Sequence, residues 1–129
     1  MIFGIGTDIV RVSRMQRDLD RYGERFAERI LTDHEMAEFR QSAKPAHFLA
    51  RRFAAKEAAV KAMGTGFSQG IHPRLIGVTH DGQGKPQLEF DGAAADFLGA
   101  RRITISHVSL SDEEDHAVAF VTLETPPGG

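Results

Sequence analysis

Two carboxylates and a lysine stand in this sequence where packing alone would favour neutral residues. Asp8 interrupts an apolar run over residues 2–10, and Glu57 and Lys61 lie about one turn apart in a helix-forming run over residues 51–64. A pair of carboxylates is the usual protein contribution to a Mg2+ site, with water and substrate phosphates completing the octahedron. A lysine beside them neutralises phosphate as a mobile point charge. Such a set suits a ligand that brings phosphate oxygens to a bound cation. Each residue also has a plainer reading. Asp8 can bond to nearby backbone at a turn or strand end, and Glu57 with Lys61 has the i,i+4 spacing of an exposed ion pair worth about 0.3 kcal/mol. On the functional reading, the glycines before Asp8 let a ligand approach closely.

The same helix carries a sharper anomaly. At about 100° per residue, Leu49, Phe53, Val60 and Met63 form one apolar stripe, and Lys56 falls inside it. A charge aimed at a core is costly unless something receives it, so Lys56 either neutralises a phosphate or pairs with a buried carboxylate. Small Ala50 and Ala54, beside the Glu57–Lys61 face, leave room for a ligand. Lys44, His47, Arg51 and Arg52 gather at the start of the helix. Cations there oppose the helix dipole, a conflict that an anionic ligand would resolve, although a solvated basic face gives the same pattern. Arg14, Arg17, Arg21 and Arg25 fall within about 60° of one another on an earlier helix. They read as a docking strip for an acidic partner or as helix-surface pairs with Asp18, Asp20 and Glu24. Taken alone, His107 reads as a satisfied histidine on a strand and Gly84-Lys85-Pro86 as a turn entering one. His34, His72, His80 and His116 show no zinc-site spacing.

These residues need elements to hold them. Residues 2–10 read as a first strand. Ser13 and Gln16 have capping-box spacing, with Met15, Leu19, Tyr22 and Phe26 following as one helix. Thr32 and Glu35 repeat the capping box for a shorter helix through Phe39, and Lys44-Pro45 precedes the long helix, which Gly64-Thr65-Gly66 ends. Residues 75–79 and 86–90 form a hairpin about the turn 81–84. Asp91 caps a small helix over 92–98, and residues 103–110 and 117–123 form a second hairpin joined by the acidic turn 111–115. The order β-α-α-α-β-β-α-β-β predicts an α+β fold with helices packed on a mostly antiparallel sheet. Residues 1–125 read as a single domain and 126–129 as a disordered tail.

Composition narrows the function classes. The 129 residues carry a net charge of −2, which argues against a general nucleic-acid binder. The absence of cysteine excludes disulfides and thiolate metal sites, and with no signal segment it points to the cytoplasm. No apolar run approaches the roughly 20 residues of a membrane-spanning helix. Two other classes use parts of the same residue set: a magnesium-dependent nucleotide pyrophosphatase, with water as nucleophile, and a non-catalytic adaptor docking through Arg14, Arg17 and Arg21.

Four segments in register resemble one family. They are Gly4-Ile5-Gly6-Thr7-Asp8-Ile9-Val10, then Arg52-Phe53-Ala54-Ala55-Lys56-Glu57-Ala58-Ala59-Val60-Lys61-Ala62 with Gly64-Thr65-Gly66, then Gly84-Lys85-Pro86, and His107-Val108-Ser109-Leu110-Ser111-Asp112. Over residues 2–124 the chain resembles the holo-acyl-carrier-protein synthases, the short type of 4'-phosphopantetheinyl transferase. The resemblance implies that fold, a role in fatty acid biosynthesis, and Mg2+-dependent transfer of 4'-phosphopantetheine from coenzyme A to a serine of apo acyl carrier protein. Adenosine 3',5'-bisphosphate would be released. It implies Asp8 and Glu57 as metal ligands, and Lys61 with them as catalytic. It implies Lys44, Arg52, Lys56, Gly64, Lys85, Pro86 and His107 as coenzyme A contacts, and Arg14, Arg17, Arg21 and Arg25 as the carrier-protein dock. It further implies a homotrimer with active sites at subunit interfaces. Arg11 departs from the family, whose members commonly have an acid there.

Overall fold

The computed structural model describes residues 1–128. Strand β1 (Ile2–Arg11) is followed by four helices, α1 (Val12–Tyr22), α2 (Glu24–Ile30), α3 (Asp33–Gln41) and α4 (Pro45–Met63). A 3-10 turn (Pro73–Leu75) leads into the hairpin β2 (Ile76–His80) and β3 (Pro86–Phe90). Helix α5 (Gly92–Ala100) and a second hairpin, β4 (Ile105–Asp112) and β5 (His116–Glu124), complete the fold. The α+β class stands, but the strands divide between two antiparallel sheets: β1-β5-β4, and β2-β3 by itself.

The first predicted helix is two helices. Gly23, at φ 66° and ψ −153°, breaks it in a conformation that side chains resist. The Ser13–Gln16 capping box does not form either, because the helix already begins at Val12, whose amide donates to the Asp115 carbonyl at 2.9 Å. That backbone bond meets one of the free N–H groups of the first turn without a side-chain cap. Tyr22, expected on the apolar stripe, is exposed where the helix ends. The Thr32–Glu35 capping box forms in both directions, and Gly64 terminates α4 in the left-handed conformation at φ 80°.

Helix α4 is the centre of the molecule, and its Leu49, Ala50, Ala54, Ala55, Ala58, Ala59 and Val60 are wholly buried. The three-stranded sheet lies against it. On β1 the inner positions are Gly4, Gly6, Asp8 and Val10, while Ile5 and Ile9 face outward. A Cβ at Gly4 would collide with the Ala62 carbonyl, and one at Gly6 with the Ala58 carbonyl. The two glycines therefore admit the backbone of α4 rather than a ligand. Ala50 and Ala54, read as room for a ligand, are likewise packed into the core. This backbone-to-backbone approach brings the sequence-distant Asp8 over the second half of α4.

Candidate active site

Asp8 and Lys61, 53 residues apart, meet directly: Lys61 Nζ donates to Asp8 Oδ1 at 2.8 Å and to the Thr7 carbonyl at 3.1 Å. Lys61 thus turns to β1 instead of pairing with Glu57 along the helix. Its bond to Asp8 raises the Lys61 ammonium above lysine's usual pKa. Glu57 is half-buried on the same part of α4. Burial first, and then the charge of Asp8, raises its carboxyl above the ordinary value, against opposition from Lys61 and Arg14. Two carboxylates of one site resist joint ionisation unless a cation shares them.

Lys56 has a different fate. It is fully buried, and its three donors are spent within the protein: on Glu35 Oε1 at 2.6 Å, the Pro73 carbonyl at 3.0 Å and the Ile76 carbonyl at 2.7 Å. No donor remains for a phosphate, so Lys56 is not a coenzyme contact. The alternative of a buried carboxylate partner is the one realised. Burial pushes its pKa below lysine's usual range, with the charge and hydrogen bond of Glu35 opposing. Sequence reasoning saw Glu35 only as a capping residue. The misplaced Lys56 was itself the signal that a buried acid had to exist. Arg52 is also inside, 4% exposed, with its guanidinium 4.4 Å from the centre of the Phe48 ring. Its Nε lies 3.9 Å from Glu35 Oε2 and has no hydrogen-bond partner among the described residues. It is therefore separate from exposed Lys44 and half-buried His47 and Arg51 at the start of α4.

Those cations face acids. Lys44, His47 and Arg51 line a hollow of about 500 Å³ with Asp112 at the end of β4 and Glu113 and Glu114 of the β4–β5 turn. Arg51 reaches Asp112 at 3.3 Å, and His47 Nε2 lies 3.0 Å from the Glu114 carbonyl. The turn thereby offsets part of the conflict with the helix dipole.

Lys85, Pro86 and His107 do come together, in a cleft of about 490 Å³ between β3 and β4. Thr79, Gln87, Leu88 and Ser106 line it as well. His107 Nε2 lies 3.3 Å from Glu124 Oε2. Gly64 is exposed, with open space at the position of a Cβ. Asp8, Glu57 and Lys61 are not among the residues lining the cleft, so the carboxylates and the cleft form separate features of one chain. The arginine strip spans the break at Gly23, with Arg14, Arg17 and Arg21 on α1 and Arg25 on α2, all four exposed. Arg14 stacks over Phe53 of α4 at 5.5 Å. Arg29, which the sequence reading missed, joins Arg21, Tyr22, Arg25 and Phe26 around a hollow of about 490 Å³.

Comparison with known proteins defines the class. The 4'-phosphopantetheinyl transferase superfamily matches residues 4–121. A holo-[acyl-carrier-protein] synthase of Halorhodospira halophila is 57% identical over 125 residues, covering 97% of this chain and 99% of that relative. The crystal structure of the Neisseria meningitidis synthase superposes with a TM-score of 0.92 at 47% identity, covering 97% of this chain and 100% of the other. The Bacillus anthracis synthase, crystallised in complex with CoA (3',5'-ADP), gives a TM-score of 0.81 at 38% identity over 98% and 99% of the two chains. The chain belongs to the 4'-phosphopantetheinyl transferase superfamily and, within it, is an enzyme of the holo-[acyl-carrier-protein] synthase type.

Proposed function

We propose that this enzyme transfers 4'-phosphopantetheine from coenzyme A to a serine of apo acyl carrier protein in a magnesium-dependent reaction that releases adenosine 3',5'-bisphosphate. The observation that carries the reading is the meeting of Asp8 on β1 with Lys61 and the half-buried Glu57 on α4. The donor set fits a hard cation: two carboxylates, one held above its ordinary pKa by burial and by the other's charge. Asp8 and Glu57 would hold Mg2+, which when bound supplies Lewis-acid stabilisation of pyrophosphate oxygens. The serine hydroxyl gives up its proton, released to solvent, as its oxygen bonds to the β-phosphorus and the bond to the adenosine bisphosphate breaks. Lys61, half-exposed beside Asp8, neutralises the charge that develops on the leaving phosphate.

The cleft of Lys85, Pro86 and His107 receives the coenzyme, together with Lys44 and Gly64. The arginines of α1 and α2 dock the acidic carrier protein by charge. The outer face of the three-stranded sheet supports a homotrimer. It exposes Ile5, Ile9 and Phe120 at 59%, 63% and 46%, with Ile105 and Val118 beside them, a patch of the sort that marks an interface. Association through that face would complete active sites at subunit boundaries from the carboxylates of one protomer and the cleft of the next. Within the described residues no helix is long and apolar enough to cross a membrane, in keeping with work in the cytoplasm.

Coenzyme A turnover with and without the carrier tests transfer against hydrolysis. Coenzyme A should be consumed only when apo carrier protein is present. Consumption at an equal rate without the carrier would make the enzyme a pyrophosphatase. Sedimentation tests the assembly: Ile9→Glu should shift the enzyme to monomers, and a trimer that survives the change would move the interface elsewhere.

A further inference from the structure

Lys56 and Glu35 are the most deeply buried charges of the chain, both with no exposed surface, and neither acts in the chemistry above. Apart from the capping bond that Glu35 Oε1 accepts from the Thr32 amide, their remaining bonds converge on one segment. Lys56 Nζ donates to the carbonyls of Pro73 and Ile76, and Glu35 Oε2 accepts from the Val78 amide at 2.9 Å. A single ion pair, with nitrogen and oxygen 2.6 Å apart, thus holds three backbone groups: one in the 3-10 turn before β2, one at the start of β2 and one at its centre. We infer that Lys56 and Glu35 are positioning residues for the coenzyme: they tether the β2–β3 hairpin to α4 and so set the width of the coenzyme cleft between β3 and β4. The inference rests on the coenzyme occupying the cleft between β3 and β4.

Three features of the fold lead to it. The hairpin and β4 belong to separate sheets, so no hydrogen-bonded ladder fixes the width of the cleft between them. A lone two-stranded hairpin is marginally stable in water and takes its position from what it packs against. Lys56 and Glu57 are neighbours on α4, pointing about 100° apart. Lys56 therefore turns from the carboxylate face toward the hairpin, and the same rigid helix serves the cleft of its own protomer on one side and the carboxylate site on the other. The pair also does what an apolar replacement would not. Buried ion pairs are seldom more stabilising than well-packed hydrophobic residues, but the Pro73 and Ile76 carbonyls and the Val78 amide need polar partners at fixed points. Lys85 and Pro86 lie at the far end of this hairpin and line the cleft, so their placement follows from the anchored strand.

Glu35→Gln and Lys56→Met test the tether by calorimetry of coenzyme A binding and by amide hydrogen exchange. Coenzyme A affinity should fall about tenfold to a hundredfold, the scale of loss seen when residues that orient a binding site's own contacts are removed. Amides of β2 and β3 should exchange faster, while those of β1 and β5, and carrier-protein affinity, stay as in the wild type. A folded variant that keeps wild-type coenzyme affinity and hairpin protection would reduce the pair to core filling and overturn the inference. Should neither variant fold, the wild type decides: without coenzyme, β2 must be protected like α4, and β2 amides exchanging as fast as the open turn 81–85 would refute the tether. Should the wild type not bind coenzyme A at all, the reading of the cleft fails, while the exchange pattern still judges the tether.

Discussion

Replacing Gly6 by Ala tests how the site is assembled, because it adds one carbon where two backbones touch. The new Cβ would lie 2.7 Å from the Ala62 amide nitrogen and closer still to the Ala58 carbonyl. Both atoms are main chain, so no side-chain rotation relieves the overlap. Restoring an ordinary contact of about 3.5 Å with the Ala58 carbonyl requires β1 and α4 to part by roughly 1.5 Å. Overpacking of this kind costs about 1–3 kcal/mol, which for a domain of this length lowers Tm by roughly 3–12 °C. Asp8 follows two residues later on the same inner face and moves with the strand, away from Glu57 and Lys61. Under the role proposed for Asp8, a displacement of 1 Å or more costs at least about 100-fold in rate. Thermal melting followed by circular dichroism, and initial rates on apo carrier protein below the melting range, read the two effects separately. Wild-type Tm in Gly6→Ala would show that the glycine is not a packing point. A lowered Tm with wild-type turnover would show that the approach of β1 to α4 does not set the carboxylates.

Three further outcomes follow from particular residues. Arg102 sits at φ 58° just past α5, a conformation that costs a side-chain-bearing residue about 1–2 kcal/mol; Arg102→Gly should raise stability by about 0.5–1 kcal/mol in urea titration, with turnover unchanged. Because the folded state raises the Glu57 pKa, its ionisation burdens the metal-free fold: the stability it contributes is fully present below the unfolded-state pKa and is lost as pH rises through the folded one. Metal-free Glu57→Gln should therefore melt above the wild type at pH 7.5, with the difference shrinking as pH falls through the raised pKa, and an equal difference at both ends of that range would contradict the assigned shift. Carrier-protein affinity should weaken as salt rises from roughly 0.05 to 0.5 M, since exposed charge pairs are screened; in surface plasmon resonance the Arg14→Ala, Arg21→Ala double variant should lose most of that salt dependence.

What the sequence disclosed depended on whether a signal was local. The Thr32–Glu35 cap, the left-handed stop at Gly64 and the turn at Asp81, whose carboxylate accepts from the Gln83 and Lys85 amides, are set by residues within four positions of one another, and all were legible. Lys56 was visible as an anomaly because helical periodicity is also local. Its resolution was not, because Glu35 lies 21 residues away and its other acceptors are main-chain carbonyls that carry no side-chain signature. Gly4 and Gly6 were noticed for the right reason, a close approach, and matched to the wrong partner. Ala58 and Ala62, four apart on the facing helix, were the complementary pattern. The break at Gly23 was hidden by apolar spacing that runs through it, and the division into two sheets by the fact that hairpins look alike whether or not their outer edges pair. The basic start of α4 looked unpartnered because its acids lie more than 60 residues on, in the β4–β5 turn.

Intact-mass measurement of apo acyl carrier protein, incubated with coenzyme A and increasing Mg2+ alongside either the wild type or Glu57→Gln, tests the central claim most directly. The wild type should add the mass of one phosphopantetheine to the carrier in proportion to Mg2+, and Glu57→Gln, folded as the wild type, should add none. Equal, magnesium-independent modification by both proteins would contradict the assignment of Asp8 and Glu57 as the carboxylates that carry the transfer.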